Sequence, residues 1–386
     1  MFNFDKKINR RGSNSIKWDG NGERFGKEDV IPMWIADMDF EISPYIQEEF
    51  QKILDRKVFG YQSTSEEYFK AIENWMLRRH GYKIEKDWIC FSPNVVAGLA
   101  FAVNSVTEEG DEVIIHSPVY GPFYHVIENT GRKVVECPLN NEDGYYTMDF
   151  EEFEKSITPK TKATIICNPH NPCGRVWTRD ELKTLADICL KHNLYIISDD
   201  IHSEIVYSGH KHTFISTISE EVADRTITCT SPAKAFNLAS IQVANCIIKN
   251  PDIRKKYTEQ MDALHIMENA FVEAAITGAY NKSEQWLDEL VEYLEGNVDL
   301  FVNYIRKEIP KLKVSKPEGT YLVWVDFSSL GMTEKELSHF LVHKCNLAVN
   351  PGSFFGESNG THCRFNLACN RGQIIEVLNK MKEEIN

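Results

Sequence analysis

The sequence predicts an α/β protein built on a doubly wound, largely parallel sheet, and two observations lead to this prediction. Apolar runs alternate with segments of helical periodicity through the middle of the 386-residue chain. Polar residues also cluster directly after several of the runs, and in such sheets ligands bind beyond the carboxyl ends of the strands. The runs predict strands at 112–116, 133–137, 163–167, 194–198, 226–230 and 243–248.

Helices are predicted between and after these strands. Segment 179–192 has apolar residues at helical spacing, namely Leu182, Leu185, Ala186 and Cys189. From about residue 285 onward, a long amphipathic helix, a strand at 321–325 and a final helix predict a second, smaller α/β lobe. The residues before about 45 are rich in turn formers and predict an arm packed on that lobe. The predicted units are an N-terminal arm (1–45), a large domain (46–284) and a small C-terminal domain (285–386).

The composition excludes several classes of partner. A net charge of −14, from 43 Lys plus Arg against 57 Asp plus Glu, argues against nucleic acid or an anionic membrane surface as the main partner. The charged start of the sequence and the lack of a long apolar run predict a cytoplasmic protein. The ten cysteines form no Cys-x-x-Cys pair, so we expect reduced thiols and no metal site.

Lys234 is the residue with the clearest chemical potential. It stands in Ser231-Pro232-Ala233-Lys234, directly after the predicted strand 226–230. A lysine amine must be neutral to attack a carbonyl, and a site at a strand end beside other cations lowers the pKa of a lysine. Because most lysines are only solvated surface groups, this assignment needs support from other parts of the sequence.

Two strand ends give such support. Asp199 follows the predicted strand 194–198, where its carboxylate can be held ionised beside a protonated ring nitrogen. That pairing makes the ring an electron sink, so Lys234 and Asp199 are the minimum equipment for pyridoxal phosphate chemistry. Asn171 lies in a turn with two prolines and a glycine, where it either donates to a cofactor oxygen or caps the turn. His202 either bonds the ring hydroxyl or is a surface residue.

A third segment provides a candidate anion site. The loop 92–98 precedes the helical run 99–106, so its backbone N–H groups would point at a phosphate from a helix start. Asn94 is expected to take the positive φ of a turn. The hydroxyl of Ser231 is a second candidate for phosphate binding.

These residues resemble, in type and order, the fold-type I pyridoxal phosphate enzymes of the class I/II aminotransferase superfamily. The resemblance implies a large domain with a mostly parallel seven-stranded sheet and a smaller α/β C-terminal domain. Several motifs are similar to the MalY/PatB branch, whose members are cystathionine β-lyases, also called C-S lyases, together with proteins described as aminotransferases. The motifs are Lys17-Trp18-Asp19 and the segments 32–40, 59–61, 117–123, 168–177 and 317–321.

The resemblance implies roles for individual residues around the cofactor. Lys234 would bind the cofactor aldehyde, Asp199 would pair with the pyridine nitrogen, and Asn171 would meet the ring oxygen. Tyr120 would stack on the ring face. The phosphate would be bound by Val95, Val96 and Ser231, and by Tyr61 from a second subunit. If Tyr61 crosses over in this way, the protein is a homodimer.

The resemblance also implies a substrate site. Arg364 matches the arginine that binds the substrate α-carboxylate, a task that suits the planar guanidinium. Ala36 and Asp37, within the motif 32–40, would also contact the substrate. The chain departs from the branch at several positions, namely Asp200, Ala233, Ala235, Ser240 and Asn370. Gln242 stands where many aminotransferases have a phosphate-binding arginine.

The function implied is α,β-elimination on an L-amino acid with sulfur at Cβ. The substrate would be L-cystathionine, L-cysteine or a related S-conjugate, and the products would be pyruvate, ammonia and a thiol. Lys234 would remove the α-proton. Two alternatives stay open: transamination of an L-amino acid by the same residues, and a regulatory or protein-binding role for the fold.

Overall fold

The computed structural model describes residues 2–356 and 360–386. Residue 1 of the predicted arm and residues 357–359 of the predicted small domain lie outside this part. The strands are β1 Ile31–Pro32, β2 Ile89–Ser92, β3 Glu112–Ile115, β4 Lys133–Glu136, β5 Asn140–Glu142, β6 Tyr145–Thr147, β7 Thr161–Cys167, β8 Tyr195–Asp199, β9 Thr226–Thr230, β10 Ala244–Ile248, β11 Lys313–Val314, β12 Leu322–Asp326, β13 Leu347–Ala348, β14 Asn350–Pro351 and β15 His362–Asn366.

The large sheet has seven strands in the order β2-β10-β9-β8-β7-β3-β4. All neighbouring pairs are parallel except those of β10, which runs antiparallel to both β2 and β9. The predicted α/β class and mostly parallel sheet are therefore confirmed. The six predicted runs correspond to β3, β4, β7, β8, β9 and β10, whereas β2 was not among the predicted strands. Its run of only four apolar or small residues lies between a 3-10 turn and a helix.

The α-helices begin and end as follows: α1 Ile16–Asp19, α2 Asn21–Phe25, α3 Pro44–Asp55, α4 Glu66–His80, α5 Val95–Val106, α6 Pro122–Asn129, α7 Phe150–Lys155, α8 Arg179–Lys191, α9 Glu220–Asp224, α10 Pro232–Ala235, α11 Pro251–Ala263, α12 Val272–Lys282, α13 Glu284–Glu308, α14 Glu334–His343 and α15 Arg371–Ile385. None of the helices in the described part of the chain is long and apolar enough to cross a membrane.

Buried side chains on the two faces of the sheet belong to two different cores. In β8, Ile197 packs in the core that includes α5, and Ile196 packs in the core that includes α8. Successive side chains of a strand point to opposite faces, so a strand covered by helices on both sides must be apolar throughout. The helix α8 starts with a capping box between Thr178 and Glu181, which satisfies backbone donors at its first turn.

A smaller antiparallel sheet with the order β11-β12-β15-β14 lies in the C-terminal part of the chain. The arm strand β1 pairs in parallel with β13, with Ile31 opposite Leu347. The boundaries at residues 45 and 284 stay predictions, although the arm strand does pair with the C-terminal part.

The parallel strands position the candidate residues at one edge of the large sheet. The turn 168–174 follows β7, Asp199 ends β8, and the short helix α10 with Lys234 follows β9. The strand β2 leads directly into α5. Because β2, β7, β8 and β9 all run in the same direction, their carboxyl ends meet at the same edge.

Gly174 closes the turn after β7 under two constraints. Its φ is +73°, and a Cβ at this position would lie 2.3 Å from Cβ of Pro317. We predict that Gly174→Ala lowers the urea midpoint of unfolding more than Gly209→Ala does. Gly209 has a φ of +88° and open space around it, so alanine there costs only the left-handed strain of about 1–2 kcal/mol.

At Gly174, the clash with Pro317 adds roughly 1–3 kcal/mol of overpacking. Urea unfolding of both variants, followed by circular dichroism, measures the difference. Equal losses in the two variants would show that the loop at 317 moves aside freely.

Candidate active site

A cleft of about 200 Å³ opens at the carboxyl edge of the large sheet. Its lining includes most of the residues that the sequence singled out. The lining residues are Asn94, Val95, Val96, Tyr120, Cys167, Asn171, Asp199, Ile201, His202, Ala233, Lys234, Ala239 and Gln242. Residues from five different strand ends and loops therefore meet in one cleft.

Lys234 is half-buried, and its amine donates to a backbone carbonyl of the arm. The distance from Nζ to the oxygen of Ala36 is 2.6 Å. Burial, and after it the charge of Arg364, lower the pKa of Lys234 to about 8 against the opposing charges of Asp37 and Asp199. About a tenth of the amine is therefore neutral at pH 7, and the neutral amine is the form that attacks a carbonyl.

Asp199 ends β8 with its carboxylate buried. Burial, together with the neighbouring charge of Asp200, raises the pKa of Asp199 to about 7. The backbone N–H of Ile201, 3.1 Å from Oδ1, and the charge of Lys234 lower it. A carboxyl group with this pKa is readily held ionised by one further cation, such as a protonated ring nitrogen.

The start of α5 provides the expected anion site, with a correction to its geometry. Asn94 has a φ of −158°, so the prediction of a positive φ is wrong. Asn94 is instead the N-cap, and its Oδ1 accepts from the N–H of Ala97 at 2.9 Å. Its Nδ2 donates to Oε1 of Gln242 at 2.9 Å. The first N–H groups of the helix, those of Val95 and Val96, have no intrahelical acceptor and suit an anion.

Two residues predicted to bind phosphate are not brought to this anion site as free donors. The hydroxyl of Ser231 donates to the carbonyl of Val243 at 2.5 Å and accepts from the N–H of Ala233 at 3.0 Å. Its hydrogen is therefore already used by Val243, and its oxygen caps α10. Tyr61 is 98% exposed and does not line the cleft of its own chain.

Arg364 on β15 is buried behind the cleft. Its Nη1 donates to Oδ1 of Asn171 and its Nη2 to the carbonyl of Trp34, both at 2.9 Å. Its Nε is buried without a hydrogen-bond partner among the described residues. Burial lowers the pKa of Arg364 to about 10, which leaves the guanidinium charged at neutral pH. This bond orients the amide of Asn171 and leaves its NH2 group available to donate to a ligand.

The two arm residues predicted to contact the substrate differ in their position. The carbonyl of Ala36 accepts from Lys234 and, at 2.9 Å, from the hydroxyl of Tyr321. The carboxylate of Asp37 instead accepts from Nη1 and Nη2 of Arg10 at 3.0 and 2.8 Å. Burial alone would raise the pKa of Asp37, but Arg10 and Lys17 hold it below its ordinary value. Asp37 thus holds the arm in place rather than presenting a free carboxylate to the cleft.

Tyr120 and His202 lie on the walls of the cleft. Burial raises the pKa of Tyr120, so its phenol stays neutral at pH 7. Burial also lowers the pKa of His202 well below its ordinary value, with the charges of Lys234 and Arg364 acting in the same direction. The Nδ1 of His202 is buried without a hydrogen-bond partner among the described residues. A neutral imidazole with an open nitrogen suits a bond to a polar substituent of a bound ring.

Sequence reasoning missed the contributions of Trp34 and Tyr321. Both stand in motifs that were recognised, but Trp34 acts through its backbone carbonyl and Tyr321 through a contact with the arm. Neither contact leaves a signal in residue type or spacing.

The arrangement of these residues fits both ends of pyridoxal phosphate, namely its ring with the aldehyde and its phosphate. It combines an amine that is partly neutral, a carboxyl at a strand end, an aromatic wall and a helix start with open N–H groups. Among the described residues, there is no group of three or more His, Cys, Asp or Glu side chains that could bind a metal ion.

Comparison with known proteins agrees with this arrangement. The model of the family "Aminotransferase class I and II" matches residues 28–381. The chain is 40% identical over 382 residues to cystathionine beta-lyase PatB of Bacillus subtilis (strain 168), which covers 98% of this chain and 99% of that protein.

Two solved structures are similar over the whole chain. The pyridoxal phosphate-bound putative aminotransferase from Clostridium difficile 630 has a TM-score of 0.98 and 42% identity, with 100% of both chains covered. Cystalysin from Treponema denticola, which contains a pyridoxal 5'-phosphate cofactor, has a TM-score of 0.96 and 38% identity, with 100% of this chain and 98% of that chain covered. The chain therefore belongs to the class I and II aminotransferase family and is a pyridoxal phosphate-dependent enzyme of its C-S lyase branch.

Proposed function

We propose that the protein is a C-S β-lyase that cleaves L-cystathionine, L-cysteine or a related S-conjugate to pyruvate, ammonia and a thiol. The observation that carries this proposal is Lys234 in the cleft with Arg364 buried directly behind it. An amine with a pKa of about 8 stands beside a buried guanidinium that has an open donor, so a base and a carboxylate-binding group are close together. The similarity to cystathionine beta-lyase PatB over nearly the whole chain supports the proposed reaction type.

The residues act on the substrate in sequence. Arg364 binds the α-carboxylate, and Lys234 accepts the α-proton at Nζ. Bound pyridoxal phosphate supplies an electron sink for the electron pair left at the α-carbon. Asp199 keeps the ring nitrogen protonated, which preserves that sink. The thiolate then leaves from Cβ, and the proton held by Lys234 is available to it. Water completes the conversion of the remaining fragment to pyruvate and ammonia.

Transamination is the second candidate, because the same residues serve it. It would differ in where Lys234 delivers the proton that it holds, and it would release an oxo acid and require an amino acceptor. The similar structure from Clostridium difficile is named a putative aminotransferase, so the experiment described below also tests for transamination. Gln242 occupies the position of the phosphate-binding arginine of many aminotransferases and weighs modestly against it.

A purely regulatory role is the third candidate. It would leave the depressed pKa of Lys234 and the open Nε of Arg364 without a use. Burying such groups costs free energy, so a chain that only bound a partner protein would gain nothing from keeping them.

We also propose that the protein is a homodimer with shared active sites. Tyr61 lies in a segment with other exposed apolar residues, and the ring of Phe59 stacks 6.4 Å from that of Phe271. The exposed set, from this segment and the neighbouring one, is Val58 (73%), Phe59 (57%), Tyr61 (98%), Leu264 (64%) and Met267 (53%). A patch of this kind is typical of a surface that another subunit covers.

The reaction type is tested with the cofactor-loaded protein and L-cystathionine, with and without 2-oxoglutarate. We predict pyruvate and free thiol in equal amounts, independent of 2-oxoglutarate, because elimination needs no amino acceptor. A Lys234→Ala variant should lose at least about 10³-fold in rate, since the base is removed. Glutamate formation only in the presence of 2-oxoglutarate would favour transamination. Stable partner binding without either activity would favour the regulatory role.

The shared site is tested by mixing two inactive variants. A Lys234→Ala chain retains Tyr61, and a Tyr61→Ala chain retains Lys234. If Tyr61 reaches the partner's phosphate site, a mixed dimer has one intact site. Refolding the two variants together should then restore about a quarter of the wild-type activity by random assortment. If Tyr61 serves its own chain, no activity above that of the parents appears.

The pKa of Lys234 is tested through cofactor capture by the cofactor-free protein. We predict that the rate of covalent attachment rises from pH 6.5 to pH 9 with a midpoint near 8, because only the neutral amine attacks. In an Arg364→Gln variant the midpoint should move upward, since the charge of Arg364 lowers the pKa of Lys234. Visible absorbance follows the capture. An unchanged midpoint in the variant would assign the shift to burial alone.

A further inference from the structure

A second pair of buried ionisable groups lies next to Asp199, outside the lining of the cleft. Asp200 follows Asp199 in the chain, and its Oδ1 is 3.1 Å from Nε2 of His212, an ion-pair distance at which the two atoms are not aligned for a hydrogen bond. The side chains of His212 and Asp200 are only 2% and 0% exposed. His212 reaches this place from a loop that Asn168 holds, because Nδ2 of Asn168 donates to the carbonyl of Thr213 at 3.0 Å.

The other groups around this pair leave His212 as the cation for Asp200. The His212 ring lies 4.5 Å from that of Phe214 and 5.9 Å from that of His80. The Nε2 of His80 is 2.8 Å from Oε1 of Glu204, and Glu204 also faces Trp75 and Arg79. Tyr82 packs against Phe214 and faces Asp200 as a phenol with a raised pKa. The remaining basic groups therefore face Glu204, and His212 faces Asp200.

Asp199 and Asp200 carry like charges on consecutive residues in a buried place. The charge of Asp200 is one of the causes that raise the pKa of Asp199. Repulsion between buried carboxylates is strong, because little water screens it. A protonated His212 in contact with Asp200 would cancel the charge of Asp200 and remove this repulsion. Asp199 would then lose its proton more easily.

We propose that His212 is a positioning residue that neutralises Asp200 and thereby keeps Asp199 ionised towards the ring nitrogen of the cofactor. The proposal rests on the role of Asp199 in the proposed function. It assigns a purpose to Asp200, which differs from the glutamate usual in the branch. It also assigns a purpose to His212, which contacts neither the cleft nor the substrate.

The test uses the cofactor-loaded protein and measures the dissociation constant of pyridoxal phosphate, together with the pH dependence of its visible absorbance. His212→Gln removes the cation and leaves Asp200 charged. We expect it to weaken cofactor affinity about 10-fold, which corresponds to one unit in the pKa of Asp199. The double variant Asp200→Asn/His212→Gln removes both charges and should restore most of the affinity. A side chain needed only for packing would not be rescued in this way.

Two further variants keep the test decisive. Asp200→Asn alone should leave the pH at which the absorbance changes within about half a unit of the wild-type value, because His212 already cancels the charge that this substitution removes. This measurement decides the matter if His212→Gln does not fold. An Asp200→Asn profile displaced further than this to lower pH, or a double variant as weak as His212→Gln, would overturn the proposal. Asp199→Asn serves as the benchmark: if it changes neither affinity nor absorbance, the role of Asp199 itself fails, whatever His212 does.

Discussion

Arg364 is the contact on which the cleft depends, because its guanidinium bonds segments from distant parts of the chain. It joins β15 to Asn171 in the turn after β7 and to the carbonyl of Trp34 in the arm. A buried charge is costly unless hydrogen bonds compensate it, and these two bonds do so. The same charge lowers the pKa of Lys234. One side chain therefore ties together the segments around the cleft and adds to the effect of burial on the reactive amine.

The arm is held against Lys234 by a second set of buried charges. Lys17 is 1% exposed and lies 2.8 Å from Oδ2 of Asp39, while Arg10 reaches both Asp39 and Asp37. Breaking one partner of such a set strongly destabilises the rest, because a buried charge is left without its counterpart. These pairs therefore fix the position of the backbone at residue 36, whose carbonyl accepts a hydrogen bond from Lys234.

The strands of the large sheet could be predicted from the sequence because buried parallel strands are continuous apolar runs with polar ends. The residues at those ends, Asp199 and Lys234, could be found for the same reason. The contacts of Ser231 and Asp37 could not be predicted from the sequence, because each depends on a partner elsewhere in the chain. Ser231 donates to Val243, and Asp37 accepts from Arg10. His212 shares no element with Asp200, so its contact appears only in the folded chain.

Two departures of this chain from its branch, Asp200 and Ala235, lie in the packing around the charges and leave the charges themselves in place. A glutamate at 200 would need room for one more methylene where neither Asp200 nor His212 is more than 2% exposed, and such overpacking costs about 1–3 kcal/mol. Ala235 is fully buried, so a hydroxyl there would need a partner inside the core. The shorter side chains thus suit the space that this chain provides. Because a carboxylate is retained at 200 and an amine at 234, the electrostatic relation between Asp199 and Lys234 survives these changes.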